Sequence, residues 1–509
     1  MIFNGTLTLI TQVKPEAVEP LAALLRQLDQ EMRTQEAHPF DGLEAIHFAH
    51  WSILEHRYLL FGADLCLEGA PPGKKARLQA CVEQFVATLA KPRNADCAAT
   101  FDTLYSHCVD YPGPLQSHPG KVTDYLRLNA VDYTARHVDF AYRVAPVRGI
   151  REIMKLRSAV EQHLDTPSLG SRPEQLEPRQ VHETLRGKLE KLLSGELSDV
   201  RWERDLAAAQ FEAASIRLGY LVPGFLLGLV VNALERLRKK EHTREYPEVS
   251  DRTRREIEAR QQPVQNSMIL ITAIPESWFA RKKQRFFLKL INLRLQRNVV
   301  GLNDIRTIHF ARWLTFERNG QRRLIFMVAY DESWDAYIDS FIDNDDVSRF
   351  LKAIWSPTKG FPQGIPFVEP FKEWIRSVQS PTLAWYSAYR HGKTRLHADT
   401  SVGISVTDLH EALQLRRVLT RPSLHGLGNT LARHMLKTFL EQGRFPFQKK
   451  LMSVGESSYL VLAVLLSRLG QGLTDYRRRL HVALGKKAER GTLGVASQPA
   501  LVAQEASRP

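Results

Sequence analysis

The sequence predicts an α+β protein made of two ferredoxin-like βαββαβ repeats, packed as a pseudo-dimeric α+β barrel with helical insertions and a helical C-terminal region. Three observations predict it. The chain repeats itself in order: Leu9-Ile10-Thr11 returns as Leu270-Ile271-Thr272, Ile46-His47-Phe48-Ala49-His50-Trp51 as Ile308-His309-Phe310-Ala311-Arg312-Trp313, and Ala141-Tyr142-Arg143 as Ala388-Tyr389-Arg390. Each copy alternates apolar and polar residues with a period of two where strands are expected. The composition is globular, with 509 residues, 43% hydrophobic and 25% charged. That excludes a wholly disordered, collagen-like or coiled-coil chain.

Each repeat opens on a β-branched run, at 7–13 or 268–274, and passes through Pro15 or Pro275 into an amphipathic helix. Two alternating strands follow, 45–54 with 58–67 and 307–316 with 323–330. The period puts His47, Ala49 and Trp51 on one face, and Ile46, Phe48 and His50 on the other. A helical stretch and a last strand, near 140–143 and 383–390, complete each copy. The repeats occupy residues 1–150 and 266–400. Between them, 151–265 reads as a charged helical insertion with an apolar segment at 218–234. A spanning helix needs about 20 apolar residues; this shorter run, interrupted by Pro223, reads equally as a buried core helix or as a re-entrant or interfacial segment. Residues 401–486 read as further helix and 487–509 as a disordered tail.

With 70 Lys+Arg against 56 Asp+Glu, the formal charge is +14. Such a surplus favours an anionic partner, a phospholipid surface or a nucleic acid. The four cysteines, Cys66, Cys81, Cys97 and Cys108, form no CxxC pair. This argues against a disulfide framework or zinc ribbon and for a reducing, cytoplasmic location. The first residues, Met1 to Thr11, lack a basic n-region and a small-residue cleavage site, and read as a strand.

The strongest signal for a partner lies in 278–299. Arg281, Lys282, Lys283, Arg285, Lys289, Arg294 and Arg297 occur there without an acid, interleaved with Trp278, Phe279, Phe286, Phe287, Leu290 and Leu293. On a helix Arg281, Arg285 and Lys289 share one side, with Phe279, Phe286, Leu290 and Leu293 on a different face. That suits an interfacial helix, with cations at anionic headgroups and Phe286 and Phe287 entering the acyl boundary. The plainer reading is the first helix of a repeat packed on its sheet, and the two can coexist. Nucleic acid is a distant second, because no nucleic-acid module motif accompanies the cations.

The blocks Ile308-His309-Phe310-Ala311-Arg312-Trp313, Asp331 through Asp343, Ala353-Ile354-Trp355-Ser356 with Gly360-Phe361-Pro362, and Trp385-Tyr386-Ser387-Ala388-Tyr389 resemble a poorly characterised bacterial family. Its members carry this series after a degenerate first copy. The resemblance covers residues 5–150 and 262–395. As a fold, a doubled ferredoxin-like barrel is similar to the dye-decolourising peroxidases and chlorite dismutases, which hold haem against one sheet. That similarity implies haem or a large apolar ligand and, for an enzyme, peroxidase-type oxidoreductase chemistry. The Gly-x-x-Asp-Gly block of those peroxidases is missing here.

His309, on a strand beside Trp313, is then the candidate axial metal ligand or proton shuttle, and His309 with Trp313 the candidate haem site. The alternative is a buried histidine tied to a backbone carbonyl. Arg312 is a candidate clamp for a propionate or phosphate, or else a salt bridge to an acid of 331–343. Tyr389 and Tyr142 are expected on the last strands, as ligand-binding or radical-carrying phenols or as ordinary packing aromatics. His309, Arg312 and Tyr389 form the candidate catalytic set. The non-enzymatic alternative is a lipid-surface binding or scaffold protein. Two lookalikes fall away: His391-Gly392-Lys393-Thr394 has Ser387 where a phosphate loop needs its first glycine, and His410-Glu411 lacks the second histidine of a zinc helix.

Overall fold

The alternating runs form β1 (Ile2–Gln12), β2 (Ile46–Leu54), β3 (Tyr58–Glu68), β4 (Tyr133–Val138), β5 (Asn266–Ala273), β6 (Ile308–Arg318), β7 (Gln321–Tyr330), β8 (Gln379–Ser380) and β9 (Ala384–Ser387). These belong to a computed structural model that describes residues 2–35, 38–69, 73–139, 141–142, 145–165, 177–190, 193, 251–276, 278–296, 307–318, 320–342, 354–355, 358–362, 368–390, 393–394, 397–401, 403–421, 423–425 and 430–442. The apolar segment at 218–234 and the tail at 487–509 lie outside the described residues. The protein is mixed α+β with two main antiparallel sheets. All the described residues belong to one compact unit.

The first sheet runs β1-β3-β2-β9 and the second β4-β6-β7-β5-β8. Each is completed from the far half of the chain: β9 pairs with β2 through Phe48↔Ser387 and Trp51↔Ala384, and β4 pairs with β6 through Ala135↔Trp313 and Val138↔Phe310. Both crossing segments also hold the edge they came from. Val131 N–H donates to the Thr8 carbonyl at 2.8 Å, and Leu270 pairs with Gln379. Each seam between the sheets is thus bridged by a short stretch of backbone pairing. The last strands lie elsewhere than the sequence suggests. Tyr133–Val138 precedes 140–143, and Ala384–Ser387 stops short of Tyr389. Tyr142 and Tyr389 sit just beyond the strand ends.

Between the sheets, Ile10, Leu54, Tyr58 and Leu60 of the first meet Ile269, Leu314, Ile325 and Met327 of the second in one apolar cluster. The opposite faces carry helices. The helix Val18–Thr34 buries Leu21, Leu25, Leu28 and Met32, spaced by three or four residues as a single apolar stripe requires. On the second sheet Trp313 and Phe326 pack with Trp355, Phe371 and Trp374. The insertion and the C-terminal region meet where Arg157 of the helix Val147–Asp165 donates to Asp408 of the helix Val406–Leu419, 2.5 Å away.

Candidate functional site

In both hairpins the register slips at the same place, between Ile46 and Phe48 and between Ile308 and Phe310. A bulge of this kind re-aims a side chain, and here each sits at a histidine. The Tyr389 hydroxyl lies 2.6 Å from His47 Nδ1, and the Tyr142 hydroxyl 2.6 Å from His309 Nδ1. Each histidine thus takes its tyrosine from the opposite half of the chain. Phe48, stacked on Trp385 at 5.4 Å, and Phe310, 4.8 Å from the Tyr142 ring, fill the space between the pairs. All seven of these residues are buried.

Burial pushes both phenols well above their usual range, so each keeps its proton; Tyr142 donates to His309 Nδ1, because the other ring nitrogen faces the acceptor Asp331. The remaining proton of His309 is then on Nε2, which donates to Asp331 Oδ1 at 2.7 Å. Asp331 also accepts from the backbone N–H groups of Gln265 (3.2 Å) and Val406 (2.7 Å), tying the helix Val406–Leu419 to the centre. His47 differs: burial drops its pKa to about 3, and its Nε2 has no partner among the described residues. By strand register the position that matches Asp331 is Cys66, since Ile308 pairs with Tyr330 as Ile46 pairs with Leu65.

Arg312 enters the space between the sheets, 2% exposed. Its Nη1 donates to Asp64 Oδ1 and the Ala63 carbonyl, both at 3.1 Å, and its Nη2 donates to His50 Nε2 at 2.7 Å. Burial and then the neighbouring guanidinium hold His50 well below the usual imidazole range, so it stays neutral and accepts. Burial raises the Asp64 carboxyl, and Arg312 opposes that rise. The Arg312 partner is therefore Asp64 of the first half, in place of an acid from 331–343. His50 and Arg312 occupy the same position in the two hairpin sequences and meet face to face.

His309 and Tyr389 share the rings of Phe48 and Tyr142, but no two members of the candidate set His309, Arg312 and Tyr389 bond each other. Tyr389 bonds His47, Arg312 bonds Asp64 and His50, and Trp313 packs on Phe326 at 4.7 Å on the helix side. Haem does not fit this arrangement. His309 is 0% exposed, and both its nitrogens are engaged, which leaves no lone pair for iron. No group of three His, Cys, Asp or Glu side chains suited to a metal occurs among the described residues. Sequence reasoning missed Asp331 and Asp64. Asp331 stands at the end of β7, 22 residues beyond His309, and only the hairpin fold-back reveals it.

The basic helix, Trp278–Gln296, packs on β4, where Asn292 Oδ1 accepts from the Arg136 N–H at 3.3 Å. Phe287, Leu288 and Gln284 are buried. Phe287 thus faces the protein, which corrects its assignment to the acyl boundary. Trp278 is 69% and Phe286 48% exposed, and Lys282, Arg285 and Lys289 are exposed with them. At 3.6 residues per turn these five fall within about 100° of arc. Phe286 therefore shares the face of the cations. Arg281 is half-buried beside that arc. Arg322 first, then Arg281 and Arg285, hold the nearby Glu317 carboxyl below its usual range. The side chains of Phe279, Leu290 and Leu293 lie outside the described residues.

No protein-family model matches the chain, and no curated protein sequence matches it either.

Among the described residues, no helix is long and apolar enough to cross a membrane.

Proposed function

We propose that the chain is a duplicated, ferredoxin-like pseudo-dimeric α+β barrel that acts as a non-catalytic, membrane-peripheral binding protein on the cytoplasmic face. Its helix Trp278–Gln296 docks on an anionic lipid surface. The duplication is supported by the matching orders β1-β3-β2-β9 and β5-β7-β6-β4, by bulges at equivalent histidines, and by the reciprocal histidine–tyrosine pairs. A binding role is favoured over peroxidase-type chemistry because both nitrogens of His309 are taken by Tyr142 and Asp331, and Arg312 is held by Asp64, the Ala63 carbonyl and His50.

One observation carries the docking: the two exposed aromatics Trp278 and Phe286 lie in a single arc with Lys282, Arg285 and Lys289. Aromatics set among cations on one helix face suit a headgroup interface, and indole rings favour the headgroup level. Each cation near an anionic leaflet adds about 1 kcal/mol, so three well-placed ones supply roughly 3 kcal/mol before any apolar insertion. The protein should cosediment with vesicles containing phosphatidylserine and not with phosphatidylcholine alone. Salt should weaken the binding as the Debye length shrinks from about 10 Å at 0.1 M to about 3 Å at 1 M. Lys282→Glu with Arg285→Glu and Lys289→Glu, all exposed, should weaken it strongly and leave the fold intact. Undiminished binding by that folded variant refutes the docking surface. Indifference to vesicles combined with salt-dependent RNA binding replaces lipid by nucleic acid.

A further inference from the structure

The two main hairpins turn at the end of the sheets where the basic helix begins. Tyr58 packs edge-on against Phe316 at 5.6 Å, Arg318 donates to Gln12 Oε1 at 3.3 Å, and Arg323 pairs with Glu55 at 2.6 Å. The tips of β2–β3 and β6–β7 therefore lie against each other. The basic helix starts beside them, since the Ile274 N–H donates to the Arg322 carbonyl at 2.9 Å, four residues before Trp278.

Charge at this end is unevenly matched. Glu317 and Glu55 are taken by Arg322 and Arg323. Arg57 and Arg318 are exposed, and neither pairs with a carboxylate among the described residues. Both lie over one buried ring, with their guanidinium carbons 5.6 and 5.4 Å from the centre of Tyr58. Stacking on an aromatic face orders a guanidinium without using up its N–H donors, which remain for an oxyanion. The turn that leads into Arg57 is strained. Glu55 and His56 have φ of 50° and 49°, a pair of left-handed residues that Asn-Gly supplies more readily. The other hairpin turns on Gly320, where φ of 74° is unstrained. Strain kept at an exposed tip points to what that tip presents. Here it presents Arg57, whose carbonyl accepts from the Val13 N–H at 2.9 Å.

We infer that the paired hairpin tips are a second lipid contact, at which Arg57 and Arg318 meet headgroup oxyanions of the same anionic leaflet that takes the helix Trp278–Gln296. This rests on the lipid docking proposed above and adds an orientation to it. The protein meets the leaflet with the hairpin-tip end of its sheets, and the histidine–tyrosine centre lies at the end turned away.

The test is the affinity of the full-length protein for mixed phosphatidylserine and phosphatidylcholine vesicles. Arg57→Gln with Arg318→Gln should weaken it about 25-fold, at about fivefold per cation. Arg57→Lys with Arg318→Lys keeps both charges and should stay within about threefold of the parent. Lys75→Gln with Lys155→Gln is the control of equal charge, both residues being exposed at the other end. Lys75 follows the far end of β3, about 33 Å from Tyr58. Lys155 lies in the helix Val147–Asp165, whose Arg151 holds the Ala388 carbonyl beside Tyr389. At 0.1 M salt that end is about three Debye lengths away, so the control should change affinity less than about twofold. A parent that ignores these vesicles overturns the docking itself, and this orientation with it. Binding that falls with the triple charge reversal of the helix but not with the hairpin glutamines overturns the orientation alone. An equal loss in the control pair also overturns it, because net charge alone would then account for the effect.

Discussion

Gly62→Ala probes the sealed centre with a single carbon. Gly62 lies on β3 opposite His50, and the position matching it in the second hairpin by register is Met327. A Cβ on Gly62 would fall inside the contact distance of His50 Nε2 and Arg312 Nη2, and 2.5 Å from Met327 Cε. The Met327 methyl can swing aside, but His50 and Arg312 are held in place. Arg312 is fixed by Asp64, the Ala63 carbonyl and His50. Overpacking a tight core costs about 1–3 kcal/mol, and breaking the buried Arg312–His50 hydrogen bond about 1–3 kcal/mol more. Loss of unfolded-chain freedom returns about 0.4–1 kcal/mol. The net destabilisation should be about 1–6 kcal/mol in urea unfolding followed by tryptophan fluorescence. Gly120→Ala is the control: it sits in the helix Pro119–Asn129 and its Cβ would meet nothing within 4 Å. That substitution should gain up to about 1 kcal/mol. In an Arg312→Met background the cost of Gly62→Ala should shrink, because the guanidinium is gone. If Gly62→Ala is as stable as Gly120→Ala, the centre is not packed as described.

The ion pair gives a second test. Asp64→Asn strands the Arg312 charge and should cost about 3–5 kcal/mol, whereas Asp64→Leu with Arg312→Met should recover most of that in the same urea assay. Acidification gives a third: His47 has a pKa of about 3 when folded against 6.5 unfolded, so below pH 6.5 the unfolded chain binds the proton and the folded one does not. Stability should therefore fall with pH between 6.5 and 4, and His47→Gln should flatten the slope by about 1 kcal/mol per pH unit, read as the difference from the parent. Burial of Asp64 acts with the opposite sign and cancels in that difference. Tyr142→Phe removes the donor to His309 Nδ1 and should cost about 1–3 kcal/mol by thermal unfolding; an unchanged midpoint would mean the pair carries no weight.

The hairpins were legible from alternation alone. Strands expected at 45–54 and 58–67 are Ile46–Leu54 and Tyr58–Glu68, because the period of two is a property of the local chain. The exchange of β4 and β9 between sheets was not legible, since neither strand's sequence encodes its partner. The same holds for Arg312, whose carboxylate lies 248 residues away across the sheets. The phase of the basic helix was ambiguous for another reason. Apolar residues occur all round it, so Phe286 and Phe287 are equivalent in sequence until packing on β4 buries one and exposes the other.

Membrane docking is tested most directly at Trp278. Of the other tryptophans, Trp51, Trp313, Trp334, Trp355, Trp374 and Trp385 are all at most 9% exposed, and Trp202 lies outside the described residues. The difference in emission between the parent and Trp278→Phe therefore isolates this side chain. On phosphatidylserine-containing vesicles whose acyl chains are brominated near the headgroup, docking predicts a blue shift and quenching of that difference signal, both lost on adding the triple charge reversal. A Trp278 signal that keeps its aqueous emission and escapes quenching while the protein is vesicle-bound would contradict docking through this helix.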